Sequence, residues 1–573
     1  MGLPHWPGNK GSILADENVT STTRDLLRYI LRESDLLRSP VFVFVVLASA
    51  SRTALIFLIN ETAARGGPDI WLFAALLAAS AVMLATSHWA KMTGVYVVQR
   101  LALKMRTRMA GRILAADVGF FQNRDYGQIY HGSTGHVNSV AQTTIKVAEI
   151  SQAVLLLLFM LGYMLWQLPA SVLATVIALL VGVGAFFATE GPATRAVKKS
   201  HEATVAYHNS VHDLLRGYKE LRLRRARRHD ISQRIETQVK EAQRLTVTAE
   251  RHYSYGQISA SGALAALLIS IVTVLPLLAG ADSVTILQIL TLVLFSFTPI
   301  ETMIGDLPQI ARAGVSFRIF RDLEDGLSRN AEVQDGAKPG VDHRAGFKSI
   351  ELRGATVHLT RDVGDNASAK DSFTLGPVDL TLVPGQSVFI TGGNGMGKST
   401  LLQLLTGLRH PDEGEILIDG TPVTPETISD YRSVFAAVFS EFYMFKRLYG
   451  LDAQERERLL EHIAEMGLSE GVALEEEEFS NLALSTGQMR RLALSIALAE
   501  ERPVIVLDEF AADQDPARRA FFYDVLVPRL AADGHCVVAV THDEHCFDKA
   551  DRLIRMADGK IISDEMQKPA KTG

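Results

Sequence analysis

The run SVFITGGNGMGKSTLLQLLTGL, residues 387–408, determines how the rest of the chain is interpreted. A short β-type run leads into a loop with the spacing G-x-x-x-x-G-K-S, and an apolar helical segment follows it. Glycines let backbone N–H groups turn towards phosphate oxygens, and the start of the helix adds its positive dipole end. The strand before and the helix after argue against a chance match. The loop is therefore predicted to bind nucleotide phosphates through Gly392, Gly393, Asn394, Gly395, Met396, Gly397, Lys398, Ser399 and Thr400.

Two more apolar runs end in residues suited to phosphate chemistry. PVIVLDE ends in Asp508 and Glu509, and CVVAVTH ends in His542. Buried parallel strands deliver the residues at their carboxyl ends to one edge of a sheet. Lys398 is predicted to supply a point charge to the phosphates of ATP, and Ser399 and Asp508 to hold Mg²⁺. Glu509 is predicted to polarise the attacking water, and His542 to reach the γ-phosphate, which makes these two the candidate catalytic residues.

A second polar turn opens another apolar helix, in LSTGQMRRLALSIALAEERP. Its first residues are Leu484, Ser485, Thr486, Gly487 and Gln488. A helix that begins this way offers a second phosphate-binding N-terminus. One nucleotide does not need two of them within one domain. The sequence therefore predicts that this turn serves the ATP held by another copy of the chain, in a homodimer.

The composition indicates two different chemistries in one chain. Of the 573 residues, 47% are hydrophobic and 21% are charged, which excludes a disordered protein. The net charge of −6 gives no indication of nucleic-acid binding. Two cysteines exclude a disulfide scaffold and give no zinc-ligand spacing.

The hydrophobic excess lies in the first half of the chain. Runs of roughly 20 apolar residues are long enough to cross a bilayer as helices. Six such runs predict a membrane domain in the lipid bilayer, at 41–60, 70–97, 147–167, 170–190, 257–279 and 284–305.

The charges between these runs predict the orientation. Residues 98–146 hold seven Lys and Arg, and residues 193–253 hold fourteen, whereas the intervening loops hold only Arg65. Basic loops stay in the cytoplasm, so both termini are predicted to be cytoplasmic in a multi-pass protein of the bacterial inner membrane.

Changes in composition give the predicted domain boundaries. The fold class predicted is a membrane α-helical domain of six spans, fused to an α/β P-loop nucleotide-binding domain. The predicted parts are an N-terminal segment with an amphipathic helix, the six-span domain with long cytoplasmic helical loops, a Gly-rich linker, the nucleotide-binding domain and a tail, at 1–39, 40–325, 326–348, 349–565 and 566–573.

These motifs resemble the ATP-binding cassette (ABC) half-transporters of exporter type. The resemblance covers about residues 25–565, and LSTGQ is similar to the LSGGQ signature with Thr486 in place of one glycine. The run AADQDP and the segment GYKELRL are similar to the cyclic-peptide exporters, a subfamily associated with pyoverdine and syringomycin export.

The resemblance implies roles at matching positions. Asp515 falls on the D-loop at the dimer interface, and His542 on the switch histidine. Ser440 falls where the family has a glutamine, which implies a contact to Mg²⁺ or water by Ser440 or Glu441. Leu359 falls where an aromatic residue stacks on adenine, so adenine stacking is in doubt.

The segments 118–127 and 216–223 fall where coupling helices touch the nucleotide domain. ATP binding is expected to close the cassettes of a homodimer and open a cavity outward, and hydrolysis is expected to reset it.

The expected function is therefore ATP-driven export of a constrained or cyclic peptide, or of a peptide siderophore. The alternatives are a multidrug or lipid exporter, peptide uptake on an exporter-type fold, or an ATP-gated regulatory protein.

The substrate pathway is indicated only by ionisable residues within the predicted spans. Arg52 lies near the middle of the first span, and Glu301 towards the inner end of the last. Such residues usually face the interior of a helix bundle. Arg52 is expected to pair with a carboxylate of the substrate or of the protein, and a purely structural ion pair is the alternative. Glu301 is a pathway candidate that could equally reach the membrane interface.

Overall fold

The computed structural model describes residues 19–34, 39–65, 70–122, 126–280, 282–332, 346–362 and 370–567. The chain divides into two compact units. Of the described residues, the C-terminal unit contains those within 112–126 and from 326 onwards, and the helical unit contains those within 19–111 and 127–325.

The first part of the chain is built from helices, several of them longer than a bilayer requires. They are α1 Val19–Glu33, α2 Pro40–Arg65, α3 Ile70–Leu114, α4 Val118–Gln122, α5 Tyr126–His131, α6 Val137–Gln167, α7 Pro169–Arg216, α8 Tyr218–Leu223, α9 Arg225–Thr273, α10 Leu275–Ala279 and α11 Ser283–Arg329.

The described residues contain five helical stretches long and apolar enough to cross a membrane: Pro40–Arg65, Ile70–Leu114, Gly132–Gln167, Arg225–Leu277 and Ser283–Asp306. The predicted fourth span, 170–190, lies within α7. Several residues of this span have side chains that lie outside the described structure. The described apolar stretch, Pro169–Ala178, is shorter than a membrane span requires. Five of the six predicted spans are thus present by length and composition, and the fourth stays a prediction.

The interior of the helical unit is an apolar cluster contributed by α2, α6, α9, α10 and α11. Ile56, Leu156, Ile271 and Leu292 are almost completely buried within it. By contrast, α3 leaves Trp71, Phe73, Leu77 and other large apolar side chains exposed. Exposed apolar side chains on a helix of this length are suited to contact with lipid tails.

The amphipathic helix predicted within 1–39 is α1, and its apolar face packs on protein. Leu26 and Ile30 are fully buried. Glu33 pairs with Lys104 and Arg108 of α3, at 2.7 and 2.9 Å. Helix α1 is therefore anchored to the helical unit by both apolar burial and charge.

The predicted linker 326–348 begins too early. Helix α11 continues to Arg329, and Asn330 and Ala331 then pair with the chain at 115–117. The backbone N–H of Asp117 donates to the carbonyl of Asn330 at 2.8 Å, and that of Glu332 donates to the carbonyl of Ala115 at 2.8 Å. Helix α11 therefore continues past Gly326 into the predicted linker, and residues 333–345 of that linker lie outside the described part of the chain.

Residues 112–126 interrupt the predicted membrane domain and belong to the C-terminal unit. Arg432 makes a two-pronged ion pair with Glu332, at 2.6 and 2.7 Å, and donates to the carbonyl of Gly407. This pairing lowers the pKa of Glu332. A Cβ on Gly119 of α4 would lie 3.7 Å from the guanidinium of Arg409. Gly119, within the predicted coupling segment 118–127, is therefore close to a residue of the nucleotide-binding part.

The C-terminal unit is an α/β domain. Its elements are β1 Ile350–Asp362, β2 Lys370–Leu382, β3 Ser387–Gly392, α12 Lys398–Leu405, β4 Glu413–Ile418, β5 Thr421–Pro422, α13 Ile428–Arg432, β6 Phe435–Val438, α14 Ala453–Glu465, β7 Leu474–Glu475, β8 Glu478–Phe479, α15 Thr486–Ala499, β9 Val504–Asp508, α16 Pro516–Phe521, α17 Val527–Ala532, β10 Cys536–Val540, β11 Arg552–Ala557 and β12 Lys560–Met566.

Within the described residues, six strands form the central sheet in the order β12-β11-β3-β10-β9-β6. The five strands from β11 to β6 are parallel. Strands β3, β9 and β10 are buried along almost their whole length, as their unbroken apolar sequences require. An antiparallel sheet, β2-β1-β4-β5, packs with the same core. The carboxyl ends of β3, β6, β9 and β10 therefore meet at one edge.

Candidate functional site: a nucleotide-binding edge with an incomplete half-site

The predicted phosphate loop connects β3 to α12. Gly392 and Gly397 have positive φ angles of 156° and 93°. A Cβ on Gly392 would lie 2.4 Å from the carbonyl oxygen of Met556, so only glycine fits there. Lys398 is buried and donates to the carbonyls of Gly392 and Gly393 at 2.9 Å each. Burial lowers the pKa of Lys398. Within the described structure the ammonium hydrogen-bonds to neutral carbonyls and forms no ion pair, so it is well placed to bind an anion.

The carboxylate of Asp508, at the end of β9, joins three chain segments. Its Oδ2 accepts from the Ser399 hydroxyl at 3.1 Å and from the Ser440 hydroxyl at 2.9 Å. Asp508 is almost completely buried, and its Oδ1 has no hydrogen-bond partner within the described structure. A buried carboxylate oxygen without a partner is costly unless a cation or water satisfies it. Two hydroxyls and one carboxylate are hard oxygen ligands of the kind that Mg²⁺ prefers, so these residues fit that ion.

Glu509 follows Asp508 in the left-handed conformation, with φ at 52°. Its carboxylate Oε1 lies 3.3 Å from Nε2 of His542, and both side chains are partly exposed. The sharp backbone turn sends Asp508 into the domain and leaves Glu509 at the open edge. The structure thus brings both predicted catalytic residues to the edge that carries the phosphate loop.

Three residues that the motifs did not indicate hold the backbone beside His542. Asp543 accepts from the Tyr523 hydroxyl at 2.9 Å, and its backbone N–H donates to the Thr541 hydroxyl at 3.0 Å. The hydroxyls of Tyr523 and Thr541 lie 2.6 Å apart. Burial raises the pKa of Tyr523 well above its usual value, so this phenol stays protonated and can donate. These contacts position His542.

The signature turn is a capped helix start. Ser485 is the N-cap of α15, with a reciprocal capping box to Gln488. Ser485 and Thr486 are exposed, whereas Leu484 packs against the apolar core. The capping box uses the backbone N–H groups of Ser485 and Gln488, so at the start of α15 those of Thr486 and Gly487 are the ones without an intrahelical acceptor.

Gly487 lies directly against the predicted D-loop of its own chain. A Cβ on Gly487 would come within 2.4 Å of the carbonyl oxygen of Asp513. Gln514 donates from Nε2 to the carbonyl of Gly487 at 3.2 Å. Asp515 caps α16 by accepting from the backbone N–H of Arg518 at 3.0 Å.

Arg490 links the same segment to the catalytic edge, and no sequence motif indicated it. It donates to the carbonyl of Glu509, and its Nε lies 3.1 Å from the carboxylate of Asp513. Signature helix, D-loop and Glu509 therefore form one connected group.

The structure does not join the signature turn to the phosphate loop of its own chain. Among the described residues, no hydrogen bond or ion pair connects 484–488 with 392–400. Each chain thus carries two separate surfaces that are predicted to bind phosphate.

Leu359 stands where the family has an aromatic residue that stacks on adenine, and an aromatic residue lies beside it on the neighbouring strand. Leu359 pairs with Phe373 across β1 and β2. The Phe373 ring lies against the phosphate loop, with Cζ only 2.9 Å from where a Cβ on Gly397 would stand. An aromatic ring is therefore present beside the loop, although β2 rather than β1 supplies it.

The two pathway candidates lie in the helical unit and are not brought together. Arg52, on α2, and Glu301, on α11, both have exposed side chains. In the described part of the chain, no carboxylate lies within 4 Å of Arg52. The alternative of a structural ion pair for Arg52 therefore finds no partner among these residues.

Comparisons with known proteins agree with this architecture. Residues 375–512 match the ABC transporter family, and residues 43–303 match the ABC transporter transmembrane region. The chain is 31% identical to the ATP-binding protein SyrD of Pseudomonas syringae pv. syringae, over 85% of this chain and 86% of that protein. The chain belongs to the ABC transporters. The predicted resemblance is confirmed, and with it an ATP-hydrolysing domain coupled to a multi-pass membrane domain.

Two further similarities bear on this ABC transporter. It is 25% identical to the ATP-dependent lipid A-core flippase of Burkholderia orbicola, over 82% of this chain and 79% of that protein. Its fold is similar to a bacterial Atm1-family ABC exporter with ATP bound, with a TM-score of 0.76 and 17% identity, covering 94% of this chain and 96% of the other. The predicted fold class of a membrane helical domain fused to a nucleotide-binding domain is confirmed, apart from the number of spans.

Gly487→Ala tests the contact between the signature helix and the D-loop. The added methyl group would overlap the carbonyl of Asp513, so the start of α15 or the D-loop must shift. Because displacement of a catalytic group by about 1 Å can cost about 10²-fold in rate, we expect ATP hydrolysis to fall by that order. Nucleotide binding by the phosphate loop should persist.

Gly471→Ala is the matched control, because a Cβ there would meet its nearest neighbour at 3.9 Å. Hydrolysis by purified full-length protein and binding of a fluorescent ATP analogue are the measurements. Wild-type hydrolysis by Gly487→Ala would show that the close contact is not needed.

Proposed function

We propose that this ABC transporter is a homodimeric, ATP-driven exporter of constrained or cyclic peptides, peptide siderophores included. It lies in the bacterial inner membrane with both termini in the cytoplasm. The similarity to SyrD over most of both chains and the subfamily-like segments AADQDP and GYKELRL support the substrate class. The basic loops support the orientation.

The observation that carries the proposal is the separation of two phosphate-binding surfaces within one chain. The start of α15 is exposed and makes no described contact with its own phosphate loop. A second copy related by two-fold symmetry can place its α15 against that loop, and symmetry then completes both sites at once. Each ATP is held by Lys398 and the loop of one chain and by Ser485, Thr486 and Gly487 of the other.

Within each site the residues have separate tasks. Lys398 and the backbone N–H groups of the loop hold the phosphates. Ser399, Asp508 and Ser440 would hold Mg²⁺, which when bound neutralises phosphate charge. The partnerless Oδ1 of Asp508 and the two hydroxyls on its other oxygen support this set of ligands.

Glu509 and His542 act on the water and the γ-phosphate. The Glu509 carboxylate stands at the open edge, where it can accept a proton from the attacking water. His542, 3.3 Å away, orients that carboxylate and can donate to a phosphate oxygen. The contacts of Asp543 with Tyr523 and Thr541 keep the imidazole in reach.

Hydrolysis is linked to movement through the D-loop. Arg490 binds both the Glu509 carbonyl and Asp513, and the Asp513 carbonyl abuts Gly487. Closure of the second copy onto the signature turn therefore acts on the backbone that carries Glu509. ATP binding closes the site, and hydrolysis releases it.

A lipid exporter is the second candidate, because relatives that are lipid A-core flippases share about a quarter of aligned residues with this chain. The identity to SyrD is higher and covers more of both chains, which favours a peptide substrate.

Glu509→Gln tests the assignment of the catalytic carboxylate. The amide keeps the shape but cannot accept a proton, so hydrolysis should fall by about 10²- to 10⁴-fold while ATP binding remains. Phosphate release and nucleotide binding by full-length protein in lipid nanodiscs measure both quantities. Glu565→Gln, at an exposed position on β12, is the control and should hydrolyse ATP normally. Equal hydrolysis by Glu509→Gln and wild type would remove Glu509 from the mechanism.

Mixed dimers test whether ATP is bound between two copies. Thr486→Asp places a negative charge where the other chain's phosphates would bind, and an acid there is favourable for its own helix start. Lys398→Ala disables the loop. Each variant alone should be inactive, whereas a dimer of one chain of each retains one intact composite site. Thr486→Asn is the uncharged control.

The dimers of mixed composition are isolated with two affinity tags, and vanadate-trapped nucleotide is counted. We expect one nucleotide per mixed dimer and none in either parent variant. No trapping in the mixed dimer would contradict the composite site and indicate that each chain works alone.

A further inference from the structure

The middle of α2 carries an arginine in a position that the packing of the helix does not explain. Val45, Ser49, Ile56 and Asn60 recur at helical spacing and are all almost completely buried. Arg52 falls on the same stripe, between Ser49 and Ile56. Its side chain is nevertheless exposed. At this level of an otherwise buried stripe, the arginine side chain is therefore accessible.

The residues next to Arg52 along α2 are small. The segment ASASRTA, residues 48–54, contains no large side chain other than Arg52. Its hydroxyls are used within the protein: Ser49 donates to the carbonyl of Gln152 on α6 at 3.3 Å, and Ser51 lies 3.2 Å from the hydroxyl of Thr86 on α3. Helices α2, α3 and α6 thus converge beside Arg52, and the hydroxyl groups there are satisfied.

The guanidinium itself is not satisfied. In the described part of the chain it has no hydrogen bond and no carboxylate within 4 Å. Arg52 lies near the centre of a 26-residue helix, about 15 Å from either interface of a hydrocarbon core about 30 Å thick. An unpaired charge at that depth is costly and is retained where it meets an anion. Arginine offers a planar fork of donors that fits a carboxylate.

We propose that Arg52 is the anion-binding residue of the transport pathway and takes a carboxylate of the transported peptide. This inference rests on the proposed peptide-export function. No other charged residue lies in α2 before Glu61, so α2 contributes a single positive charge to the site. A single charge matches one carboxylate better than a phosphate, which carries about −1.5 to −2 at neutral pH.

Glu301 does not share this environment. On α11 it lies on the same side as Leu294, Thr298 and Gly305, all of them exposed, and away from the buried stripe that contains Ile300 and Ile304. Glu301 is therefore a control for Arg52, and also tests whether the carboxylate that Arg52 meets comes from a second copy of this chain.

The test uses two fluorescent cyclic octapeptides that differ only in one residue, glutamate or glutamine. Binding to full-length protein in nanodiscs is followed by fluorescence anisotropy. Wild type should bind the glutamate peptide about 10- to 100-fold more tightly, the range expected for a charge-assisted pair of hydrogen bonds. Arg52→Met should lose this preference and bind both peptides as wild type binds the glutamine form. Retained binding of the glutamine peptide shows that the variant is folded.

The remaining variants separate the possible partners. Arg52→Lys should keep part of the preference, because it keeps the charge without the fork, and Glu301→Gln should keep all of it. The proposal is overturned if wild type binds both peptides equally, if Arg52→Met still prefers the glutamate form, or if Glu301→Gln abolishes the preference as Arg52→Met does. Binding without preference would leave the peptide-export function standing, whereas failure of wild type to bind either peptide would overturn both.

Discussion

The nucleotide site depends on one buried carboxylate. Asp508 ends β9 of the six-stranded sheet, and one of its oxygens accepts hydrogen bonds from Ser399 and Ser440, which follow β3 and β6. Those two strands lie on opposite sides of β9 in the sheet, so a single oxygen ties the phosphate loop to the far edge. The other oxygen has no hydrogen-bond partner within the described structure, as the proposed Mg²⁺ site requires. Because the backbone reverses into the left-handed conformation immediately afterwards, the next carboxylate, Glu509, remains at the surface where water and phosphate can meet it.

The sequence predicted those parts of the site that depend on local order. Glycines, Lys398 and Ser399 follow a strand directly, and Asp508, Glu509 and His542 end strands, so parallel pairing alone brings them together. The residues it missed act across the fold. Tyr523 lies on the π-helical turn after α16 yet holds Asp543, and Arg490 lies on α15 yet holds the Glu509 carbonyl. Neither belongs to a motif, and both are recognisable only from tertiary contacts.

The domain boundaries, too, depend on tertiary contacts that the composition of the sequence does not reveal. The Gly-rich composition after residue 325 indicated a linker, but α11 continues to Arg329 and then pairs with 115–117. The chain at 112–126 therefore folds with the C-terminal unit, although it lies between two predicted spans. Composition reports where a chain becomes polar, not which distant segment it pairs with.

Polar residues in the helical unit fall into two groups with different consequences. Asn60 donates to the carbonyl of Gln288, and Gln167 donates to the side chain of Gln288, so these amides are satisfied within the protein. They stabilise the packing of α2, α6 and α11. Arg52 lies on the same helix as Asn60 and has no hydrogen bond or ion pair with any residue that the structure describes. That contrast within one helix distinguishes a structural polar group from one kept for an external anion, as the proposal for Arg52 requires.

The most direct test of ATP-driven peptide export is uptake into inverted inner-membrane vesicles that contain the full-length protein. In such vesicles the cytoplasmic face is outside, so an exporter moves its substrate inward. The account predicts that a fluorescent cyclic peptide accumulates in the presence of ATP, and that a non-hydrolysable ATP analogue or the Glu509→Gln variant abolishes accumulation. Continued ATP hydrolysis without accumulation of any cyclic peptide, together with ATP-dependent translocation of lipid A-core, would contradict it.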